Sequence, residues 1–320
     1  MTIFNNITDV PGIKVGHAEN HQALTGCTAL IIENGAVCGV DVRGSAPGTI
    51  GTDGLHPIHS LEEVHGIILS GGSIYGLETA SGVVQYLEEQ KLGSSFGGLT
   101  LPLVAGAIIF DLGIGDGTIR PDKQMGYEAA KNAKRGVFPL GNVGAGCGAT
   151  IGKVAEFHRA MKGGLGSVSK VFPNGLVVAA IVAVNPVGEV RDPSTGEILA
   201  GTRDDNGKIR SSMEWMLENE GIMAPANTNT TIGVVATNAI LTKPKATKVA
   251  EMAHNGLAKT IYPIHTSRDG DTIFSLATGE MEASADLVGT LAADVMAEAV
   301  IEATKAAKGV AGLPAYQDLL

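Results

Sequence analysis

NTNTTIGVVATNAILT, residues 227–242, joins a polar lead-in to an apolar run rich in β-branched residues. Ile232–Leu241 reads as a buried strand from its valines, isoleucines and threonine. Its head is polar, with Asn229 followed by Thr230 and Thr231. A plain polar loop has the same composition, but here hydroxyls stand beside an Asn–Thr peptide at the mouth of a rigid strand. A threonine released there as a new N-terminus carries its own base, because an α-amine has a pKa of about 8.

The rest of the chain bounds what such a residue can do. With 320 residues it can bury a large core, and its net charge of −10 disfavours contact with a phosphate backbone. No basic stripe reverses that balance, so nucleic acid is not expected as a partner. Three cysteines, Cys27, Cys38 and Cys147, form neither a CxxC nor a zinc spacing. Their odd number argues against a disulfide framework and fits a reducing cytoplasm. MTIFNNITDV lacks the basic and apolar regions of a secretion signal, and the longest apolar run, Leu176 to Val184, is far short of the about 20 residues a membrane helix needs. A soluble cytoplasmic protein is expected. Glycine is abundant, 44 residues, and dispersed, which points to a sheet-based fold with close backbone approaches.

Taken in order, Ile13–Val15, Cys27–Ile32 and Ala36–Val42 read as short strands, with Asn34-Gly35 a hairpin signal between the last two. A glycine-rich loop follows from Arg43 to Asp53, then a strand at His65–Ser70 and a helix carrying Ile74, Leu77, Val84 and Leu87 on one face. Leu101–Phe110 is strand-like but interrupted by Pro102 and Gly106. A short helix is expected at Tyr127–Lys134, and the most glycine-dense loop at residues 141–153. Ser167–Phe172 and Leu176–Val184 form a hairpin around Pro173-Asn174-Gly175. Residues 191–231 are a polar surface excursion with a short helix near Ser212–Glu218. Helices are predicted over Lys243–Lys259, with Thr242 as N-cap and Pro244 in its first turn, and over Ala285–Ala307, with a strand at Ile273–Ala277 between them. No repeat or linker divides the chain, which is expected to be one domain, 1–320. Strand-rich order with few helices indicates an α+β fold, sheets packed on each other and helices outside.

Several motifs carry little. Gly93-Ser94-Ser95-Phe96-Gly97 matches a serine-hydrolase elbow, but a helix precedes it where a strand is required. Gly144, Gly146 and Ala149 resemble a dinucleotide fingerprint without a leading strand, and Gly152-Lys153-Val154 lacks the hydroxyl residue of a phosphate loop. A non-catalytic nucleotide or phosphate binder therefore stands only as an outside alternative. His56 and His59 lack a third metal ligand, and His254 and His265 read as structural or surface groups. Four polar features remain: Lys153 after the glycine loop, Asn185 at the end of a long apolar strand, Thr230, and Asp269 with Asp271 around Gly270. Each alone fits a bland role. Together they supply a nucleophile, a group to hold charge, and acids to orient an amine, with no metal or other cofactor required.

PGIKVGHA at 11–18, SGGSIYGLETASGV at 70–83, IIFDLGIGDG at 108–117, RPD…GY at 120–127, NPVGE at 185–189, NTTIGVVATNA at 229–239 and HTSRDGDTIF at 265–274 run in the order of a known family. The chain resembles the DmpA-like, or P1-type, self-cleaving aminopeptidases, which include L-aminopeptidase/D-amino-acid esterases, β-peptidyl aminopeptidases and the nylon-oligomer hydrolase NylC. The resemblance implies a four-layer αββα sandwich of the N-terminal-nucleophile type. It also implies self-cleavage between Asn229 and Thr230 into subunits 1–229 and 230–320, and a homotetramer of the cleaved pair. By the same resemblance Thr230 is the nucleophile and Asn185 the oxyanion or substrate-carbonyl donor. Asp269 and Asp271 stand where aminopeptidase members carry serine and glutamate, and where the nylon hydrolase carries two aspartates. Lys153 matches a lysine of that branch and is expected to balance the aspartates. Phe110, at a substrate-binding position, replaces a tyrosine. The implied substrates are short peptides or amino-acid amides cut from the amino end, or alternatively 6-aminohexanoate oligomers cut internally.

Overall fold

The run from Leu176 into Asn185 shows how the fold is layered. Val177, Ala179, Ile181 and Ala183 belong to one buried cluster, whereas Val178, Ala180, Val182 and Val184 belong to another on the opposite face. A strand covered on both faces is apolar throughout rather than alternating. The computed structural model describes residues 3–222 and 228–320; Asn227, which opens the quoted stretch, lies outside them.

The main strands are β1 (Ile13–Asn20), β2 (Thr25–Val42), β3 (Glu63–Ser70), β4 (Val104–Ile108), β5 (Gly164–Val171), β6 (Val177–Asn185), β7 (Thr230–Ala239) and β8 (Thr272–Met281). Helices are α1 (Thr79–Glu89), α2 (Lys123–Lys131), α3 (Ser212–Glu218), α4 (Lys243–Thr260) and α5 (Ala285–Ala306). The hydrogen-bonded order is β5-β6-β7-β8-β2-β3-β4, closed at its edge by Thr49–Ile50, and β1 pairs with β2. Pairing is antiparallel except for β7 with β8 and β3 with β4, which are parallel. The sheet doubles over on itself. Its two halves enclose one core, with Leu30, Ile67 and Ala107 from one half and Ile181, Val234 and Phe274 from the other. A second core lies between β5–β8 and helices α4 and α5, a third between the β2–β3 side and α1 and α2. Four layers, αββα, result as expected.

From sequence, Asn34-Gly35 is expected to turn a hairpin. Instead a single strand of 18 residues passes through it. Residues 25–32 of β2 pair with β1, residues 37–42 with β8, and the register against β3 shifts between Ile31 and Ala36. Gly35, at φ +73°, supplies the left-handed residue of this irregularity. The dipeptide lets β2 change layers rather than reverse.

The helix expected to bury Ile74, Leu77, Val84 and Leu87 on one face divides instead: residues 73–78 form a 3-10 segment with Ile74 exposed, and α1 buries Ala80, Val83 and Leu87. Other expectations hold with shifted limits. The strand-like run at Leu101–Phe110 breaks at Pro102: Leu99–Leu101 pairs with Ser94–Phe96 in a small exposed ribbon, and β4 begins at Val104. That ribbon contains Gly93–Gly97, which is thus no nucleophile elbow. Helix α2 starts earlier than expected because the Asp122 side chain caps it, accepting from the Met125 N–H at 2.8 Å. Within the excursion after β6, α3 sets Trp215 and Met216 against buried Val154 and Val187, beside the mouth of β6.

Candidate active site

Strand pairing alone assembles the site. Asn185, last in β6, lies opposite Thr230, first in β7. Because β7 and β8 are parallel neighbours, the turn before β8 reaches the same edge, and Asn229 bridges to Asp269. The Arg43–Asp53 loop wraps that turn: the Ala46 N–H donates to the Asp269 carbonyl at 2.8 Å and the Arg43 N–H to the Asp271 carbonyl at 3.0 Å. Lys153 is drawn in by its own N–H, which donates to the Val187 carbonyl at 2.7 Å. The five residues expected to carry chemistry, Lys153, Asn185, Thr230, Asp269 and Asp271, thus converge on one strand mouth, and all are buried.

The Asn229 carbonyl is held from two sides. The Thr230 hydroxyl donates to it, and so does the Gly270 N–H, at 3.0 Å. Two donors on one oxygen polarise the carbonyl of the Asn229–Thr230 peptide and favour charge developing there. Gly270 owes this approach to its missing side chain. A Cβ there would stand 2.4 Å from the Ala46 carbonyl oxygen and 2.8 Å from Thr230 Oγ1.

The acids divide their contacts. Asp271 Oδ1 accepts from the Thr231 N–H at 2.7 Å, and its Oδ2 accepts from the N–H and Nδ1 of His265 at 3.1 and 2.9 Å. Asp269 Oδ1 accepts from the Val187 N–H at 3.3 Å, and its Oδ2 from the N–H of Thr266 at 3.0 Å and from the Thr266 hydroxyl. Burial first, and the neighbouring Asp271 charge second, push the Asp269 carboxyl up to about 6. An acid raised above its ordinary value binds its proton more tightly when folded, so the cost of its charge is relieved as pH falls through 6. Between pH 7 and pH 5 this favours the fold by about 1 kcal/mol. Asp269→Asn is expected to lose that component, read as the difference in unfolding free energy between the two pH values; an unchanged difference would contradict it.

Asn185 and Lys153 form one buried unit. Asn185 Oδ1 accepts from Lys153 Nζ at 2.8 Å and from the Thr150 N–H at 2.9 Å, while its Nδ2 donates to the Phe110 carbonyl at 3.2 Å. The acceptor load on Oδ1 fixes which end of the amide donates. Phe110 joins the site through its backbone, a contact for which the ring needs no hydroxyl. Lys153 Nζ also donates to the Asn185 and Thr150 carbonyls, each at 3.0 Å. It was expected to balance the aspartates. Among the described residues it makes no ion pair with either, and all its bonded partners are neutral oxygens. Burial pushes its ammonium down to about 7, opposed by the charge of Asp269.

Three contributors carry no sequence signal of their own. Lys162, fully buried, donates from Nζ to the carbonyls of Gly146, Ala149 and Gly163 at 3.0, 2.8 and 2.7 Å, pinning the glycine loop that leads to Thr150 and Lys153. The Gly270 N–H is a backbone group hidden inside the DGD turn. His265, expected to be a structural or surface group, touches Asp271 directly. His56 and His59 sit apart from the site, with ring centroids 5.5 Å from each other, and among the described residues no three His, Cys, Asp or Glu are grouped to hold a metal ion.

Residues 5–316 match peptidase family S58. An uncharacterised aminopeptidase of Mycobacterium leprae is 40% identical over 344 aligned residues, covering 98% of this chain and 93% of that protein. The 6-aminohexanoate-oligomer endohydrolase of Paenarthrobacter ureafaciens is 32% identical over 315, covering 93% and 85%. Among solved structures, a Burkholderia sp. beta-aminopeptidase superposes with a TM-score of 0.72 at 22% identity, over 96% of this chain and 88% of that one. The L-aminopeptidase D-Ala-esterase/amidase of Ochrobactrum anthropi, a variant of the Ntn-hydrolase fold, gives 0.72 at 19% identity, over 99% and 92%. With a match along almost its whole length, a relative at 40% identity and the Ntn-hydrolase fold, the chain belongs to peptidase family S58, the DmpA-like family its motifs resemble, and is a hydrolase.

Proposed function

We propose that the chain is a self-processing N-terminal-threonine aminopeptidase that removes residues from the amino end of short peptides or amino-acid amides. The observation that carries the self-processing half is the Asn229 carbonyl, bonded at once by the Thr230 hydroxyl and the Gly270 N–H. Thr230 Oγ attacks that carbonyl carbon, the C–N bond to Thr230 breaks with the nitrogen taking the hydroxyl proton, and an ester remains. Water hydrolyses the ester, leaving Asn229 as a new C-terminus and Thr230 with a free amine and hydroxyl. In the mature enzyme Thr230 Oγ attacks a substrate carbonyl while the α-amine accepts its proton and returns it to the leaving amine. Asn185 Nδ2 turns from the Phe110 carbonyl to the substrate oxyanion, and water then frees the acyl group from Thr230.

The test is direct. A gel of purified protein is expected to show fragments of 229 and 91 residues, the latter from 320 less 229. Terminal sequencing of the smaller is expected to begin Thr-Thr-Ile-Gly-Val. Both should co-elute at several times the 32.7 kDa chain mass, as the homotetramer we propose requires. A fully active preparation of intact chain sinks self-processing.

Amino-end cleavage is supported by the 40% identical relative, which is named an aminopeptidase, against 32% for the oligomer endohydrolase. An aminopeptidase must neutralise the substrate ammonium, and Asp269 and Asp271 are the clustered acids at the site. A free aminoacyl p-nitroanilide is therefore expected to be cleaved with kcat/KM at least about tenfold above its N-acetyl form, one charge-assisted contact being of that order. Equal values would favour the oligomer endohydrolase reading.

A further inference from the structure

We infer that His265 is a positioning residue, holding Asp271 so that Asp271 in turn sets the Thr230–Thr231 backbone for attack on the Asn229 carbonyl. The inference rests on the self-processing reading above and adds to it a group outside the expected set.

The path is continuous. Both donors of His265 that face Asp271, its backbone N–H and its ring Nδ1, converge on the same oxygen, Oδ2, at 3.1 and 2.9 Å. The other oxygen of that carboxylate, Oδ1, takes the N–H of Thr231, the residue directly after the nucleophile, at 2.7 Å. Since a carboxylate only accepts, Nδ1 is the protonated ring nitrogen. Among the described residues the buried Nε2 of His265 has no partner, so the hydrogen bond the ring makes there is the one to Asp271.

His265 adopts φ +57°, the left-handed region that a residue with a Cβ seldom enters. This backbone conformation is found with both donors on one oxygen. The ring is buttressed from behind by His254 in an edge-to-face contact, centroids 4.8 Å apart, and His254 is itself tied to the Asp41 carbonyl at 3.1 Å. One half-buried ring, backed by the buried ring of His254, and a left-handed backbone thus bring two donors to a single carboxylate oxygen. Strain of this kind is characteristic of places where geometry is over-determined for function.

Asparagine and leucine separate positioning from bulk packing. Asparagine tolerates the left-handed region and its side-chain NH₂ stands where Nδ1 does, whereas leucine fills the space and donates nothing. His265→Asn is expected to process within about threefold of the wild-type rate. His265→Leu is expected to process about 10- to 100-fold more slowly, the loss of one hydrogen bond to a charged group, with a far-UV spectrum and subunit mass unchanged. In the processed fraction of His265→Leu, kcat should fall while KM holds, because the defect lies in nucleophile alignment. Equal rates for leucine and wild type overturn the inference, and so does equal slowing in asparagine and leucine, which would make the ring a packing element. Wild-type protein that stays uncut yet active overturns the self-processing reading first, and this inference with it. Wild type that is cut while His265→Leu keeps pace overturns this inference alone.

Discussion

Thr230→Ala is expected to accumulate as one intact chain of 320 residues with no measurable hydrolase activity. The methyl group has no lone pair to attack the Asn229 carbonyl, so the new amine is never made, and the mature nucleophile is missing as well. Turnover should fall by at least about 10³-fold, the scale on which removing a nucleophile acts in hydrolases. The fold should survive, because the backbone contacts of the site remain: the Gly270 N–H to the Asn229 carbonyl and the Thr231 N–H to Asp271. Thr230→Ser keeps the attacking oxygen and is expected to process partially. The neighbouring threonine is the natural control. Successive strand residues point to opposite faces, so Thr230 and Thr231 cannot both present hydroxyls to the same carbonyl. In the structure the Thr230 hydroxyl has the Asn229 carbonyl, whereas among the described residues Thr231 Oγ1 is buried without a partner. Intact, inactive Thr231→Ala alongside active Thr230→Ala would move the nucleophile by one residue.

The site was legible in sequence where it is carried by strand ends. Asn185 and Thr230 each terminate an apolar run, and runs of that length with both faces apolar belong to a covered sheet. Their being opposite one another follows from antiparallel pairing, but which strands pair does not. The family resemblance groups these residues into one site without saying which strands pair, and the pairing itself is read from the structure. Buried cations were illegible for a related reason. Lys162 and Lys243 look like ordinary surface residues in the sequence, yet both are buried and, among the described residues, both find only backbone carbonyls, Lys243 reaching that of Leu61 at 2.8 Å from far along the chain. Carbonyl acceptors leave no mark in a sequence. Asn34-Gly35 misled because the same two residues serve a hairpin turn and a bent strand; only the partners on either side decide between them. His265 reads in the sequence as a structural or surface group, because nothing there shows that the turn brings its ring to a carboxylate six residues away.

Asn185→Ala separates the two carbonyls on which Thr230 is proposed to act. The Asn229 carbonyl is served by the Gly270 N–H at 3.0 Å, while Asn185 Nδ2 points to the Phe110 carbonyl at 3.2 Å. If the two reactions use different donors, loss of Asn185 should lower substrate turnover by about 10²–10³-fold, the effect of deleting one oxyanion donor. Processing should slow much less. Some slowing is expected even so, because Asn185 Oδ1 is a partner of buried Lys153 at 2.8 Å and of the Thr150 N–H at 2.9 Å, and both would be left short of an acceptor. Asn185→Asp keeps the acceptor for Lys153 and replaces the donor with an oxygen, so it should process close to the wild-type rate yet turn over as poorly as alanine. The rates to compare are the appearance of the 91-residue fragment and hydrolysis of an aminoacyl p-nitroanilide by protein already cut. Parallel losses in both variants would mean that one donor serves both carbonyls, and that Gly270 only fixes the turn. Unequal losses, with turnover far the more sensitive, assign Gly270 to the chain's own peptide and Asn185 to the substrate.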